Sequence, residues 1–414
     1  MSVKNNFTAV TPALTKADQS IEALVSGQKI LEVIIKNALD GRATDIHIEP
    51  SAGEVRIRYR VDGILHSSLT LSATVLVSLL QALRQLVGLP PAKDLQPQAA
   101  SYKLEYEGKI YNVLVYFLPM IEGEKVVLHL VSAYDQPQTL VELGFADYHL
   151  SQIEKKLTRG GLFLVTGKVN SGKTTTLYTL LNILNSEAVN ITTLEEPIER
   201  YLSGVNQISL GSLHDSNLNE ALQVALKQEP DILLLDTLDS VTAVELAGWV
   251  ATFNKKVFSS LATSDVLSTV KRLLEMGLPT FLLTEALGLI ISQRLVRKIC
   301  PDCRVETTPA PGLLKIAKAL VKSTPTGLID PENLVFYRGA GCPHCSQTGY
   351  KGRMVLAEIF ELNEPLKNYL IEGGELTAES LTKLDPEFIF LAVDGIIKAS
   401  QGLTTLEEVI KNIS

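Results

Sequence analysis

The spacing of apolar positions in the first third of the chain predicts a small α+β domain. Over residues 21–39 apolar side chains recur at helical spacing, and the segment ends at an Asp-Gly pair, a typical stop signal for a helix. Residues 43–50 and 54–65 follow as two predicted strands, and in the second strand apolar residues alternate with a row of arginines. A predicted helix over 73–87 and predicted strands between 102 and 131 complete the domain.

From about residue 139 onwards, short apolar strands alternate with amphipathic helices. One such helix is predicted over 217–228, with its leucines and alanines on one face. Strands that are separated by helices indicate a parallel sheet between helical layers, which is an α/β architecture. The four predicted strands are GLFLVTG (161–167), ITTLEEP (191–197), DILLLD (231–236) and KVFSSLA (256–262).

These changes of pattern divide the chain into successive regions. The cysteines are confined to one segment, and the sequence after that segment has helical spacing. The predicted regions are a polar tail (1–20), an amino-terminal α+β domain (21–134), a linker (135–140), an α/β domain (141–299), a cysteine-bearing subdomain (300–352) and a helical C-terminal region (353–414).

The longest apolar stretch is too short to cross a bilayer. It runs from Phe281 to Ile291, contains Glu285, and falls short of the ~18 residues that a membrane span needs. The N-terminus has no continuous apolar segment of the kind found in secretory signals, so a cytoplasmic protein is expected.

Three cations precede the first cysteine pair, and we expect them at a helix end, where they would complement the helix dipole. They are Arg294, Arg297 and Lys298.

Composition narrows the function classes. Of the 414 residues, 46% are hydrophobic and 20% are charged, which excludes a largely disordered chain. This length is enough for about two to four domains. The net charge of −8 disfavours a general nucleic-acid coat and a basic membrane-surface protein, although it leaves local basic patches open, so no nucleic-acid partner is expected.

A phosphate-binding loop is predicted between the first strand of the α/β domain and the helix after it. GKVNSGKT matches G-x-x-x-x-G-K-[ST] in the strand–loop–helix context that such a loop requires, which disfavours a chance glycine-rich turn. Glycines let backbone N–H groups point at phosphate oxygens, and the helix adds its positive N-terminal end. Lys173 is expected to reach the β- and γ-phosphates of ATP, and Thr174 to bind Mg²⁺. The candidate nucleotide-binding residues are Gly167, Asn170, Ser171, Gly172, Lys173, Thr174 and Thr175.

All four cysteines lie in two Cys-x-x-Cys pairs, CPDC and CPHC. Two such pairs can supply four thiolates in tetrahedral geometry, which suits structural Zn²⁺ and leaves no open position for catalysis. The segment between the pairs, 304–341, must fold on its own, and 315–321 is predicted to be helical. Free reduced cysteines are the alternative. The predicted zinc ligands are Cys300, Cys303, Cys342 and Cys345.

An ordered set of motifs carries a resemblance to a known family. ATDIHIEP, RYRVDG and GEKVV are followed by GKVNSGKTTTLYTLL, ITTLEEPIE, GVNQI, EPDILLL, RLLEMGL, QRLVRKICPDC and GCPHCSQTGYKGR. In this order they resemble the assembly ATPases of type II secretion and type IV pilus systems, over residues 22–361. The resemblance implies a RecA-like motor domain after the amino-terminal domain, a zinc-binding subdomain and a ring hexamer. It also implies ATP-driven polymerisation of pilin-like subunits through an inner-membrane platform protein.

The residue that handles Mg²⁺ and the attacking water in this family is replaced here. The position of that acidic residue, after the Walker B strand, is occupied by Thr237, and the position of an arginine two places later by Asp239. Asp236 lies one place too early, which is the opposite face of a regular strand, so it could substitute only at a bulge. Glu195 and Glu196, at the end of the neighbouring strand, are the other carboxylates that could orient water.

Other charged positions of the family are changed as well. The two histidines of its histidine box align with Lys255 and Ala262. Three arginine positions of the amino-terminal domain align with Ser101, Leu114 and His129. The arginines that remain as candidates for reaching the nucleotide of a neighbouring subunit are Arg58 and Arg60.

Three functions stay open on these residues. In the first, full ATP hydrolysis through a substitute carboxylate drives pilus or pseudopilus assembly. In the second, which we favour, the chain binds ATP in a homomeric or mixed hexamer, hydrolyses it weakly, and works with or regulates an intact paralogous ATPase. In the third, it is a scaffold that binds no ATP.

The replaced residues predict slow hydrolysis. Loss of a general base typically lowers a rate ~10²–10⁴-fold, and loss of an in-trans arginine ~10³–10⁵-fold.

The resemblance also implies a place at the inner membrane, reached through protein partners. Few residues precede the matching region, so docking through a further amino-terminal domain is not expected. A peripheral cytoplasmic location follows from these two expectations.

Overall fold

The computed structural model describes residues 27–90, 96–132, 139–210, 218–322 and 327–413. The predicted polar tail (1–20) and most of the predicted linker (135–140) lie outside the described residues. The described residues up to 132, together with 199–201, form one compact unit, and 139–198 with 202–413 form a second.

The first unit is an antiparallel sheet with two helices. Its strand order is β3-β2-β1-β6-β5-β4. Ile34 of the first helix and Leu79 of the second are fully buried and share one apolar core with Ile46 and Ile57 of the sheet. The elements are α1 (Gly27–Asp40), β1 (Asp45–Ser51), β2 (Glu54–Val61), β3 (Ile64–Ser72), α2 (Thr74–Leu86), β4 (Gln98–Tyr106), β5 (Lys109–Met120) and β6 (Gly123–Ser132).

The predicted strand over 54–65 is wrong at its end, because the chain turns before residue 65. Val61 of β2 pairs with Ile64 of β3, so Asp62 and Gly63 form a two-residue hairpin turn. Both turn residues have positive φ, 47° and 84°, which is typical of the type I′ turns that Asp-Gly favours. The hairpin adds β3 as the edge strand of the sheet.

The second unit is a sheet of order β15-β12-β7-β11-β10-β8-β9. Neighbouring strands are parallel except for β12 and β15, which pair antiparallel. The elements up to the cysteines are α3 (Leu140–Leu143), α4 (Asp147–Leu157), β7 (Gly161–Thr166), α5 (Lys173–Leu184), β8 (Ile191–Glu195), β9 (Asn206–Ser209), α6 (Leu218–Leu226), β10 (Ile232–Thr237), α7 (Val241–Thr252), β11 (Lys256–Leu261), α8 (Val266–Glu275), α9 (Thr280–Ala286) and β12 (Leu287–Ile299). The remaining elements are β13 (Arg304–Thr307), α10 (Pro311–Lys322), β14 (Phe336–Gly339), β15 (Tyr350–Phe360), α11 (Glu364–Ile371), α12 (Ala378–Leu384), α13 (Leu391–Ser400) and α14 (Leu406–Ile413).

The central strand β7 shows why this sheet lies between two helical layers. All of its side chains are buried. Leu162 and Leu164 belong to the core that contains α7, α8 and α9, whereas Phe163 and Val165 belong to the core that contains α4 and α5. Burial on both faces explains the continuous apolar run of its sequence. The predicted fold, an α+β domain followed by a parallel-sheet domain of the P-loop NTPase type, is confirmed.

The cations before the first cysteine pair lie on a strand, so their prediction at a helix end is wrong. Arg294, Arg297 and Lys298 belong to β12, which pairs with β7 on one side and β15 on the other. A short apolar run followed by polar residues fits either a helix or a strand, and pairing with distant segments decides the outcome here.

The region 353–414 begins with a strand as well, since 353–360 belong to β15, and its helices follow from α11 onwards. Between the cysteine pairs, β13 and β14 form a two-stranded antiparallel sheet, and α10 contains the predicted helix over 315–321. Among the described residues, no helix combines the length and the hydropathy that crossing a bilayer requires.

Glu358 of β15 is a buried carboxylate that joins the sheet to two helices. It accepts hydrogen bonds from the first backbone N–H groups of α8, on Val266 at 2.8 Å, and of α13, on Leu391 at 3.0 Å. Burial is the largest influence and raises the pKa of Glu358 to about 7, although these two donors oppose the change. The carboxyl group therefore holds a proton more tightly in the folded chain than in the unfolded chain.

We expect the free energy of unfolding to fall as Glu358 ionises. The folded-state pKa of Glu358 lies above the ordinary value of 4.5. The stability that its protonated carboxyl group contributes is therefore complete below pH 4.5 and is lost as the pH rises through 7. From pH 6 to pH 8.5 the loss is about 1–2 kcal/mol. Urea denaturation at both pH values measures it. The Glu358→Gln variant cannot ionise there and should decline less than the wild type; equal declines would contradict the assignment.

Candidate nucleotide and metal sites

The loop between β7 and α5 has the backbone of a phosphate cradle. Gly167 has φ +154°, and a Cβ built on it would lie 2.4 Å from the Ser171 Oγ and 2.5 Å from the backbone oxygen of Gln293. Gly172 has φ +86°, a value that favours glycine. Asn170, with φ +64°, lies at the exposed tip of the loop. The loop therefore needs glycine at both ends of the motif.

Helix α5 presents its first turn to this loop. Its N-cap is Gly172, which has no side chain, so no cap residue competes for the first backbone N–H groups. Lys173, Thr174 and Thr175 open the helix, and the Lys173 Nζ donates to the backbone oxygens of Gly167 and Lys168, at 3.2 Å each. Backbone N–H groups, a helix N-terminus and a lysine are the donor set that a nucleotide triphosphate requires, so these residues fit ATP.

Glu195, at the end of β8, is held inside the protein. Its side chain is 2% exposed, and both carboxylate oxygens accept hydrogen bonds. Tyr178 donates to Oε2, while Thr193 at 2.5 Å and Gln207 at 3.3 Å donate to Oε1. Three donors thus fix the orientation of this carboxylate. Glu196, the next residue, is exposed and accepts from the Ser209 hydroxyl at 3.4 Å.

A bulge is present at Asp236, which is the condition that the sequence set for this residue to substitute for the missing acidic residue. Leu235 pairs with Ser259 of β11, but Thr237 pairs with Ser260, so Asp236 is the additional residue between them. Its half-buried carboxylate accepts from the backbone N–H of Glu196, at 3.4 Å. The structure therefore brings Asp236 and Glu196 together at the carboxyl ends of adjacent strands.

Thr237 occupies the position where the family has its acidic residue, and its side chain is exposed. Its hydroxyl lies 3.1 Å from the Ser260 hydroxyl, which in turn donates to the backbone oxygen of Asp236 at 2.8 Å. These hydroxyl groups hold the bulge together. A threonine hydroxyl at this position cannot supply the negative charge of a carboxylate.

The two candidate arginines of the first unit lie in a row of paired charges. Arg58 donates to Glu49 at 2.7 Å, and the Arg60 Nε lies 3.3 Å from Asp45. Burial alone would raise the pKa of Glu49, but hydrogen bonds from Arg58 and Lys125 lower it to about 2. Both carboxylates are therefore ionised at neutral pH, and each arginine is already oriented by a partner.

The four cysteines form one cluster at the ends of two paired strands. Cys300 directly follows β12 and its backbone N–H donates to the Gly349 oxygen, just before β15. The Sγ atoms of Cys300 and Cys342 lie 3.8 Å apart, and those of Cys303 and Cys345 lie 3.9 Å apart. Within the second pair, the Sγ atoms of Cys342 and Cys345 lie 3.7 Å apart. Four thiolates around Zn²⁺ at about 2.3 Å are separated by roughly 3.8 Å, so this cluster fits the metal.

Backbone donors prepare Cys345 for metal binding. The N–H groups of Cys342 and Gly349 lie 3.2 and 3.3 Å from its sulfur. Burial alone would raise the pKa of the Cys345 thiol, but these donors lower it to about 6. Since the thiolate is the form that binds metal, the knuckle favours its ligand state.

Gln293 is a site residue that the sequence patterns missed. It follows the apolar run of β12 and is fully buried, and its carboxamide contacts both Ser171 and Thr176. A polar residue inside a buried strand was the available signal. Beside it, Arg294 donates to the backbone oxygens of Gln293, at 3.0 Å, and Ser264, at 2.5 Å.

Comparisons with known proteins agree with this arrangement. The family described as "Type II/IV secretion system protein" matches residues 19–411. The type IV pilus assembly ATPase PilB of Myxococcus xanthus is 32% identical over 389 residues, which are 93% of this chain and 67% of that protein. The type II secretion system ATPase E of Vibrio cholerae is 31% identical over 385 residues, 92% of this chain and 74% of that protein.

Some relatives are much longer. PilB of Thermus thermophilus is 31% identical over 389 residues, and the chain spans only 43% of its length. Among solved structures, the Legionella pneumophila ATPase DotB aligns with a TM-score of 0.67 and 20% identity, over 93% of this chain and 95% of that one. The pilus retraction motor PilT with bound ADP aligns with a TM-score of 0.62 and 22% identity, over 92% and 96%. These two likenesses show the fold, and the match over residues 19–411 shows that the chain belongs to the type II/IV secretion system protein family.

Proposed function

We propose that this chain is the ATP-binding subunit of a type II secretion or type IV pilus assembly machine. It couples its nucleotide state to the polymerisation of pilin or pseudopilin subunits, and it hydrolyses ATP weakly. The names of the relatives, PilB and ATPase E, support the choice of machine. The observation that carries the proposal is the combination of an intact phosphate loop with Thr237, in place of a carboxylate, at the end of β10 in the same sheet.

The phosphate loop supplies binding. Backbone N–H groups of the loop and of the first turn of α5 receive the phosphates, and Lys173 neutralises the β- and γ-phosphate charge. Thr174, in the first turn of α5, is the residue that would hold Mg²⁺, and the ion would neutralise further charge on the phosphates. None of these residues is changed from the motif.

The site lacks the usual acidic residue for orienting the attacking water. Phosphoryl transfer depends on a residue that orients the nucleophile and on charge stabilisation. Glu195 already accepts three hydrogen bonds from protein groups, which supports a positioning role for it. Asp236 and Glu196 remain as candidates for orienting water.

One observation favours a second candidate function, a fully active assembly motor. The bulge between Leu235 and Thr237 breaks the regular alternation of the strand, and this supports the Asp236 carboxylate as a replacement for the missing acidic residue. A scaffold that binds no ATP, the third possibility, is disfavoured by the intact loop.

The proposal includes partners of three kinds. We propose a homomeric or mixed hexamer, in which Arg58 and Arg60 are the candidates for reaching a neighbouring nucleotide. An inner-membrane platform protein would hold the ring at the cytoplasmic side of the membrane, and an intact paralogous ATPase would add faster hydrolysis to the weak hydrolysis of this chain. No nucleic-acid partner is proposed, in keeping with the net charge of −8.

Nucleotide affinity tests the proposal. Isothermal titration of MgATP into the zinc-loaded protein should give saturable binding, and Lys173→Ala should weaken it at least roughly tenfold, because a direct charge contact with the phosphates is lost. Lys155→Ala removes the same charge from an exposed position on α4 and should bind like the wild type. Absence of binding by the wild type would reject the proposal in favour of the scaffold.

A further inference from the structure

The carboxamide of Gln293 connects the phosphate loop to the first turn of the helix after it. Its Nε2 donates to the backbone oxygen of Ser171 at 2.8 Å, and its Oε1 accepts from the Thr176 hydroxyl at 2.9 Å. Both hydrogen bonds are buried, and Gln293 and Thr176 are each 0% exposed. One side chain from β12 therefore holds two points of the loop–helix junction, which flank Gly172 and Lys173.

The chemistry of the two partners requires a side-chain amide. The Ser171 oxygen needs a donor and the Thr176 hydroxyl uses an acceptor, and an amide offers both at the same end. The N-cap of α5 is Gly172, so the cap residue supplies no side-chain hydrogen bond to hold the first turn of the helix. The contact is close, since a Cβ on Gly172 would lie 3.3 Å from the Gln293 Nε2.

The strand is itself anchored next to this contact. The backbone oxygen of Gln293, which lies against Gly167, accepts from the buried Arg294 guanidinium, and the same guanidinium donates to Ser264 just before α8. The phosphate loop thus rests on a fixed segment of β12 through both the backbone and the side chain of Gln293.

We propose that Gln293 is a positioning residue that holds the phosphate loop in the arrangement that receives the phosphates of ATP. The proposal rests on the nucleotide binding proposed above. Gln293 is fully buried, and it acts through its hydrogen bonds to Ser171 and Thr176, on either side of Gly172 and Lys173. Without it the loop populates other arrangements, and the apparent affinity falls with the fraction that is competent to bind.

The test compares nucleotide affinities well below the melting temperature, so that all molecules are folded. Gln293→Met keeps an unbranched side chain of similar length but loses both hydrogen bonds, and we expect the Kd for MgATP to rise roughly tenfold. Thr176→Val loses only one of the two bonds and should raise the Kd about threefold. The double variant should be less impaired than the product of the two single effects, because both remove the same contact.

The matched control is Ser292→Ala, a change at the preceding buried residue, whose hydroxyl has no hydrogen-bond partner within the part of the chain that the structure describes. It should bind MgATP like the wild type. If Gln293→Met and Thr176→Val also bind within twofold of the wild type, the positioning role is wrong. If Gln293→Met does not fold, the affinity of Thr176→Val alone decides between these results. If the wild type binds no nucleotide, the proposed function fails first and this inference falls with it.

Discussion

Phosphate release from MgATP by the purified, zinc-loaded protein is expected to be no faster than about 10⁻¹ per second. A typical enzyme turns over at ~10 per second, and loss of the residue that orients the nucleophile lowers a rate ~10²–10⁴-fold. Thr237 stands in place of that residue and carries no charge. The Lys173→Ala variant gives the background rate, or blank, of the assay, because it lacks the lysine that is expected to contact the phosphates.

The residual turnover is expected to depend on Asp236. We expect its carboxylate, which lies at the bulge, to replace the missing one in part, so Asp236→Asn should lower the rate roughly 100-fold, to the level of the blank. Asparagine keeps the shape of the side chain and an oxygen for the Glu196 N–H, which limits effects on folding. Asp239→Asn removes the same charge from an exposed position in the loop that follows β10 and should leave the rate unchanged.

The possible rates separate the functions proposed above. Wild-type turnover near 10 per second would establish the fully active motor and reject weakened hydrolysis. A wild-type rate equal to the blank would show that Asp236 does not substitute, and that hydrolysis depends on a partner. A clear wild-type rate that survives Asp236→Asn would move the water-orienting role to Glu196, which lies beside Asp236.

The parts of this fold that the sequence predicts well are those with local causes. β7 is a buried apolar run followed at once by a glycine-rich loop, so the strand, the loop and α5 follow from contiguous residues. The cysteine spacing predicts the cluster in the same way, because each Cys-x-x-Cys pair places two ligands together. Element type and motif context agree at these positions, which is the condition for reliable prediction.

The parts that could not be predicted depend on pairing between distant segments. Gln293 lies 122 residues from Ser171 and 117 from Thr176, so nothing near it in sequence shows that it faces the phosphate loop. The bulge at Asp236 likewise exists only in the register with β11. Arg294, expected at a helix end, became a strand residue for the same reason, since β7 and β15 supply the hydrogen bonds of β12.

Removal of zinc is expected to unfold the segment between the cysteine pairs. Structural zinc sites of this type contribute roughly 10–16 kcal/mol in peptides, far more than a small insert gains from its own core. Cys345→Ser removes a buried ligand, so the purified variant should contain less than one zinc per chain and become sensitive to proteases within 304–341. His344→Ala changes an exposed neighbour in the same knuckle and should keep both the metal and the resistance.

The nucleotide site should survive this loss. β12 and β15 pair along 290–297 and 353–360, and Gln293 is fully buried within that stretch, so apolar packing holds the strands together without the knuckles. We therefore expect Cys345→Ser to bind MgATP within about threefold of the wild type. Metal analysis, limited proteolysis and titration on the same preparation decide the matter. A protein that is purified without zinc and resists proteolysis would establish free cysteines, and a parallel loss of ATP affinity would show that the zinc subdomain and the phosphate loop form one cooperative unit.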